Sequence, residues 1–578
     1  MCGIIGIVSK QDFEIKEALK MLKRLEYRGY DSAGYGTSSG NVAKCVGKIE
    51  NLFEKVNNEK ARVIIAHTRW ATHGNVSEKN AHPHADCKNE IFIVHNGIIE
   101  NFLELKNFLK ERGHYFRSDT DSEVIAHLIE EFNKENNFEE ACKKAFSMLK
   151  GSFAILAIKK GYEKIVGIRK DSPLVVGIGK NVNYIASDIY AIIPYTKNFI
   201  FLHNYDIIIL DSNSIRIENL KEGKVKRPIE KIDVEIEEED NNFHHYMIKE
   251  IMEQYKIFDN IFEKNKENFL IFADRIRNSK KIFFVAAGSS FHASIYGYYL
   301  LAKLGIYSQP ILASEFKNFK NLVDKDTLII AVSQSGETAD VLDAIRIAKS
   351  MNSKIYSIVN VYGSTLMRES DYYLLMNCGF ERGVAATKTF TAQLTTFYIL
   401  YKILKNEEFS LEELKAKVLD LLGKSRREFI DKVSEILKEK QHIFLIGRGI
   451  SYVSALEAAL KIKEISYIHA EAFPAGELKH GTLALIEKDV PCIVFLDEEN
   501  KDETLSNAYE VKARGGTIIG VSPFNDPVFD IWIKIPDGRE DIVIYQIIPM
   551  QILAYLLAIK KGNNPDYPRN LAKCVTVK

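Results

Sequence analysis

Short apolar runs rich in Ile and Val recur up to about residue 215: ARVIIAHTRW, EIFIVHNGII, SFAILAIKK and DIIIL. Their length and β-branched content predict buried strands. Between them, LELKNFLKERG and SEVIAHLIEEFNKE carry apolar residues at helical spacing, and Gly113 ends the first. The pattern then lapses. KEGKVKRPIEKIDVEIEEEDNN is highly charged, contains Pro228 and has little to bury, which predicts a boundary over residues 218–242.

Beyond that boundary, strand-like and helix-like stretches alternate. IFFVAA, TLIIAVS, IYSIVN and YYLLM read as strands with helices between several of them, the signature of βαβ units around a parallel sheet. The pattern restarts once. KIFFVAAGSSFHASIYGYYLLAKLG matches HIFLIGRGISYVSALEAALK, each an apolar strand, a Gly-containing turn, a Ser and a helix. TADVLDAIRIAKSMNSKIYSIVN likewise matches TLSNAYEVKARGGTIIGVSP. Two copies of one α/β domain are therefore predicted, over 243–425 and 426–568, with 569–578 as a tail and 1–217 as a separate first domain.

Composition narrows the function classes. At 578 residues, two to four domains are expected. The 78 acidic residues balance 78 basic ones, so no global field favours nucleic acid or an anionic membrane. Any phosphate must be held by a local site. Seven scattered cysteines do not form a disulfide framework. No basic region precedes the apolar start, and no run approaches the roughly 18–20 continuous apolar residues of a membrane span. A cytoplasmic location is the expectation.

Cys2 is the first candidate nucleophile. Removal of the initiator Met would give it a free α-amine, a base of pKa about 7.7–8.0 beside a thiol. Position 2 alone could be accidental. It is accompanied by LEYRGYDSAG (25–34), HTRWATHG (67–74), HPH (82–84), HNGIIEN (95–101) and SDTDSE (118–123). Together these resemble the class II glutamine amidotransferases, which implies an N-terminal-nucleophile αββα sandwich that hydrolyses glutamine. The resemblance assigns Asn96 and Gly97 to the oxyanion, Arg69 to the substrate α-carboxylate and Asp121 to its α-ammonium. Thr72 and His73 would line the pocket, Arg28 would help position Cys2, and Trp70 would gate an ammonia passage. The histidines His67, His73, His82, His84 and His95 raise the question of zinc. No cysteine or carboxylate pattern completes a site with them, so no metal is predicted and His67, His82 and His95 are read as structural.

In the second half, SQSGET (333–338) lies between a predicted strand and helix. Hydroxyls and backbone amides at a helix N-terminus suit a phosphate, although such a turn equally serves as a helix cap. AGSS (287–290) has the same placement and could contribute Ser289 and Ser290. In the second copy the matching segment reads FLDEEN (495–500), whose carboxylates would repel phosphate; one phosphate site per chain is expected. These turns and the duplication resemble the sugar isomerase domain family, implying two parallel-sheet αβα domains.

EAALKIKEISYIHAEAFPAGELKHG (457–481), the terminal PRNLAKCVTVK, HHYMIKEIMEQ (244–254) and GVAATK (383–388) extend the likeness over the whole chain. They resemble the glutamine–fructose-6-phosphate aminotransferases (isomerising), the first enzymes of the hexosamine pathway. That resemblance implies a Schiff base at Lys573, C1–C2 proton transfer by Glu464, and ring opening by His480 from a neighbouring subunit of a homodimer. Glu457 and Lys461 would support proton traffic. Ser289, Ser290, Ser333, Gln334, Ser335, Thr338, Val384 and Ala572 would hold the sugar phosphate. The chain departs from the family at Arg382, Ala386 and the AAGSS turn, all beside the expected sugar. L-Glutamine and D-fructose 6-phosphate are the implied substrates, with no cofactor, nucleic acid or membrane. Three alternatives remain open here: another sugar phosphate as acceptor, a phosphoribosyl-pyrophosphate amidotransferase, and a non-catalytic sugar-phosphate sensor.

Overall fold

The computed structural model describes residues 2–232 and 243–575. Residues 233–242 of the expected boundary segment and 576–578 of the tail lie outside it. The chain divides into two compact units, Met1–Glu238 with Ala572–Lys578, and Glu239–Leu571.

The first unit contains two antiparallel sheets, one of eight strands and one of seven. In the eight-stranded sheet Gly3–Glu14 pairs with Lys60–Arg69 on one side and Val182–Ala186 on the other. In the seven-stranded sheet Ile91–Ile99 pairs with Gly151–Lys159. Alternate residues of the two sheets, among them Ile4, Val63, Ile65, Val94, Leu156 and Ile208, form a common core. The other face of the seven-stranded sheet buries helices Phe102–Lys110, Glu123–Asn133 and Phe138–Ser147. Helix Ile15–Lys23 packs on the first sheet through its buried Ile15, Leu19 and Leu22. The order is helix, sheet, sheet, helix. Short strands Gly223–Lys224 and Glu230–Lys231, within the segment read as having little to bury, extend the edges of the two sheets.

The second unit holds two five-stranded parallel sheets of identical topology. In the first, Lys281–Ala286 leads into helix Ser289–Lys303 and Thr327–Ser333 into Ala339–Ser350. In the second, His442–Gly447 leads into Ile450–Ser466 and Pro491–Phe495 into Lys501–Lys512. The repeat extends to backbone angles: Gly288 and Gly449 both enter their helices at positive φ, 57° and 52°. Helices Ser289–Lys303, Lys388–Lys405, Ile450–Ser466 and Ile542–Lys560 pack together between the copies, and one apolar core spans both.

Ile542–Lys560 corrects the expectation about apolar runs. Its mean hydropathy of 2.0 and 19-residue length match a membrane span, yet 83% of its apolar window is buried within the protein. Gln546, Pro549 and Gln551 interrupt the run in sequence, but the first and last of these polar side chains are bonded inside the core. It is a central core helix.

Candidate active site

In the first unit, Cys2 stands immediately before the strand Gly3–Glu14, and its Sγ lies 3.6 Å from the Trp70 carbonyl oxygen. The Gly3 N–H donates to Thr68 Oγ1 at 3.1 Å, and Asn96 Nδ2 donates to the Cys2 carbonyl at 2.9 Å. The Trp70 N–H meets the Cys2 Sγ at 3.3 Å. Burial pushes the Cys2 thiol up; the positive chain terminus, the Trp70 N–H and Arg69 pull it back. Arg69, buried at the end of its strand, is itself lowered by burial and supported by the charges of Cys2, Asp31 and Asp121. Four charged or ionisable groups thus act on one another here.

The loop carrying Trp70 to Gly74 is fixed from within. Arg69 donates to the carbonyls of His73, Gly74 and Asn75, and the Ala71 N–H donates to Asp31 Oδ2 at 2.7 Å. Trp70 and His73 are half-buried and Thr72 is exposed. Asp31 went unassigned in sequence, although it lies inside LEYRGYDSAG. Asp121 is buried and one of its oxygens accepts the Ile99 N–H at 2.7 Å. Asn96 and Gly97 sit on strand Ile91–Ile99, and Gly97 has φ of +126°. A Cβ there would lie 1.9 Å from the Ser152 carbonyl oxygen, so only glycine fits. The buried Arg28 guanidinium pairs with Asp188 at 2.5 Å, and its Nε donates to the Tyr27 hydroxyl at 2.9 Å.

In the second unit the strand order places a switch point between Lys281–Ala286 and Thr327–Ser333, where the chain turns to opposite sides of the sheet. Crevices for ligands open at such points, beyond the carboxyl ends of the strands. Both sequence-predicted turns lie there. Ser333 Oγ accepts the Gly336 N–H at 3.1 Å and meets Thr338 Oγ1 at 3.0 Å, while Ser335 Oγ accepts the Glu337 N–H at 3.2 Å. Gln334 is half-buried. Ser290 accepts from Gln393 at 2.8 Å, tying the turn to helix Lys388–Lys405.

Ser289 reaches across to the other copy and donates to Glu457 Oε1 at 2.8 Å. Glu457 Oε2 faces His292 Nδ1 at 2.7 Å, a partner absent from the sequence assignment. Lys461 Nζ lies 3.3 Å from Glu457 and 2.6 Å from Glu464, continuing the stripe along helix Ile450–Ser466. Glu457 and Lys461 are fully buried, whereas the Glu464 side chain is 21% exposed. Burial resists ionisation of Glu457, but Lys461 and His292 overcome it and hold the carboxyl below its ordinary range. Burial likewise opposes charge on Lys461, and the two glutamates raise it above the ordinary range. Glu457, Lys461 and Glu464 thus form one row along the helix, joined through the Lys461 ammonium.

The second copy's equivalent turn is occupied by its own side chain. Asp497 accepts from Ser451 Oγ at 2.7 Å and from the Asn500 N–H at 2.8 Å. Ser451 stands where Ser290 stands in the first copy, and Gln546 donates to it at 3.0 Å as Gln393 does to Ser290.

Val384 is buried in a segment whose Gly383 N–H donates to Glu250. Glu381 accepts from the Thr387 and Thr389 N–H groups. Arg382 donates to the Tyr246 hydroxyl at 3.0 Å, which gives this departure from the family pattern a structural partner. Ala386 is half-buried. His480 is exposed at the end of the turn Ala475–His480. Ala572 and Lys573 belong to the tail segment counted with the first unit.

Comparison with known proteins matches both halves. The glutamine amidotransferase domain family matches residues 67–194, and the SIS domain family matches 275–403 and 435–560. Proteins named glutamine–fructose-6-phosphate aminotransferase [isomerizing] from Thermococcus kodakarensis and Thermotoga maritima are 45% and 41% identical, each over 100% of both chains. The solved C-terminal domain of glucosamine–fructose-6-phosphate aminotransferase from Francisella tularensis covers 57% of this chain and all of its own, at 36% identity and a TM-score of 0.53.

Proposed function

This chain belongs to the glutamine–fructose-6-phosphate aminotransferase (isomerising) family, and we propose that its two units divide that one reaction between them as follows. The first unit releases ammonia from L-glutamine. After removal of Met1, the α-amine of Cys2 takes the thiol proton and Sγ attacks the carboxamide carbon. The C–N bond breaks, ammonia leaves with a proton, and water hydrolyses the γ-glutamyl thioester to L-glutamate. Asn96 and the Gly97 N–H stabilise the oxyanion, while Arg69 and Asp121 hold the substrate's α-carboxylate and α-ammonium.

The second unit receives D-fructose 6-phosphate at the first copy's switch point. Ser333, Gln334, Ser335 and Thr338 take the phosphate, with Ser289, Ser290 and Val384 along the sugar. Lys573, with Ala572 beside it, forms a Schiff base with the open ketose and releases water. Ammonia displaces the lysine at C2, and Glu464 moves a proton from C1 to C2 to give D-glucosamine 6-phosphate. Glu457 and Lys461 support this proton transfer. Ring opening by His480 of a neighbouring subunit makes the working form a homodimer. Ammonia passes from one site to the other without leaving the protein, gated by Trp70.

The observation that carries this reading is the thiol of Cys2 held against the Trp70 N–H beside Arg69. The test is incubation with glutamine and fructose 6-phosphate, assaying glutamate and glucosamine 6-phosphate together. Equal formation of both, lost in Cys2→Ala, supports it. Glutamate without amino sugar would leave the glutaminase and reject the acceptor.

A further inference from the structure

Among the described residues, one group of side chains outside both sites converges as metal ligands do: Cys87, His114, His127 and Glu130. Cys87 lies in the loop before strand Ile91–Ile99, and His114 follows helix Phe102–Lys110. His127 and Glu130 are three residues apart on helix Glu123–Asn133. Cys87 Sγ is 3.5 Å from His114 Nδ1 and 3.4 Å from His127 Nδ1. Glu130 Oε2 is 3.1 Å from His114 Nδ1 and 3.5 Å from His127 Nδ1. A tetrahedral zinc with bonds of about 2.0–2.3 Å has ligand–ligand edges of about 3.3–3.8 Å; four separations here are 3.1–3.5 Å, and all the ligand atoms lie within 4.8 Å of one another.

The outer nitrogens fix which atoms face inward. His114 Nε2 lies 2.9 Å from Glu131 Oε2, and His127 Nε2 lies 3.4 Å from Glu123 Oε1. Each imidazole presents Nε2 to an outer carboxylate and Nδ1 to the Cys87 sulfur and the Glu130 oxygen, so the two Nδ1 atoms face the centre of the group. A metal bound at both Nδ1 atoms would leave each Nε2–H to its outer carboxylate, the bond that orients a ligating histidine.

We propose that these four residues bind one zinc ion, with Cys87 giving up its thiol proton to solvent as the sulfur–metal bond forms. One thiolate and one carboxylate neutralise a divalent ion, and the mixed sulfur, nitrogen and oxygen set excludes calcium and magnesium. The ion is structural, since all four positions are protein atoms. It ties the Cys87 loop to helix Glu123–Asn133 and, through Glu123, to the turn that carries Asp121. Glu123 accepts the N–H groups of Arg117 and Ser118 at 2.8 and 2.7 Å. The hydroxyl of Tyr115 and Arg117 Nη2 hold the Cys87 carbonyl from the other side.

The full chain, purified without affinity metal or chelator, is assayed for zinc by mass spectrometry. Apoprotein is then titrated with cobalt(II). The expected results are about one zinc per chain, a near-ultraviolet thiolate-to-cobalt band with intense visible tetrahedral bands, and loss of that band in Cys87→Ser. A chelator should lower the melting temperature of wild type and not of His127→Gln. If wild type holds no zinc and cobalt gives no thiolate band, the group is a hydrogen-bonded network and the proposal is overturned. Metal that persists undiminished in both variants overturns it equally. The wild-type cobalt spectrum decides the matter even if a variant fails to fold.

Discussion

The ammonium of Lys461 lies 3.3 Å from the carboxylate of Glu457, one helical turn away, and both side chains are excluded from solvent. The same ammonium reaches Glu464 at 2.6 Å, the carboxylate to which proton transfer is assigned. Removing the cation leaves two acids facing each other with one of them buried. Lys461→Met should therefore cost about 3–5 kcal/mol of stability in the second unit. Glu464 also loses the ammonium that holds it at 2.6 Å, so ammonia-dependent synthesis should fall. Denaturant unfolding and steady-state rates with ammonia as donor check the two halves of this prediction.

Cys2→Ala should abolish glutamine hydrolysis, by on the order of a thousandfold or more. Ammonia-dependent formation of glucosamine 6-phosphate should survive, because no second-unit residue is changed. Loss of both activities would show that Cys2 supports the fold and not only the chemistry.

Gly97→Ala tests backbone strain at the oxyanion position. The φ of +126° and the 1.9 Å approach to the Ser152 carbonyl leave no room for a methyl group. The strand must shift, at a cost of about 1–3 kcal/mol or more. Glutaminase kcat should fall at least tenfold while ammonia-dependent synthesis is retained.

The two switch-point turns should respond differently. Ser333→Ala removes the hydroxyl that organises Gly336 and Thr338, and should raise the KM for fructose 6-phosphate about tenfold, the worth of one hydrogen bond to a charged group. Asp497→Ala alters the second copy's turn, which its own carboxylate fills, and should leave that KM unchanged. Steady-state kinetics at saturating glutamine distinguish them.

Acid should destabilise the first unit through its buried histidines. Burial lowers His67 to about 3, and lowers His82 and His95 as well. Each stays neutral in the fold but protonates near 6.5 when unfolded, so the unfolded chain binds more protons in between. Stability is full above about pH 6.5 and is lost as pH falls toward the folded values, at about 1.4 kcal/mol per group per pH unit. Thermal unfolding followed from pH 7 to pH 4 should show the decline, with a shallower slope in His67→Gln.

Most of the fold was legible in the sequence. The strands ARVIIAHTRW and TLIIAVS appear where their Ile/Val runs placed them, as Lys60–Arg69 and Thr327–Ser333. The repeat of strand, glycine turn and helix appears as two sheets of the same order. Helix Ile542–Lys560 was passed over because its glutamines and proline mask a buried, apolar element.

Sequence alone determined the elements and the local chemistry: Cys2 beside its motifs, a Gly at position 97, and Glu457, Lys461 and Glu464 on one helical stripe. These depend on neighbours along the chain, whose spacing a helix or strand fixes by its period. Only the tertiary structure decided what faces that stripe, namely Ser289 and His292 from the other copy, 168 and 165 residues away. It likewise decided that Asp31 holds the Ala71 N–H, and that Cys87 meets His114 and His127 across 27 and 40 residues. Such contacts are set by how separate elements pack. Packing depends on the summed fit of many side chains, and no single spacing encodes it.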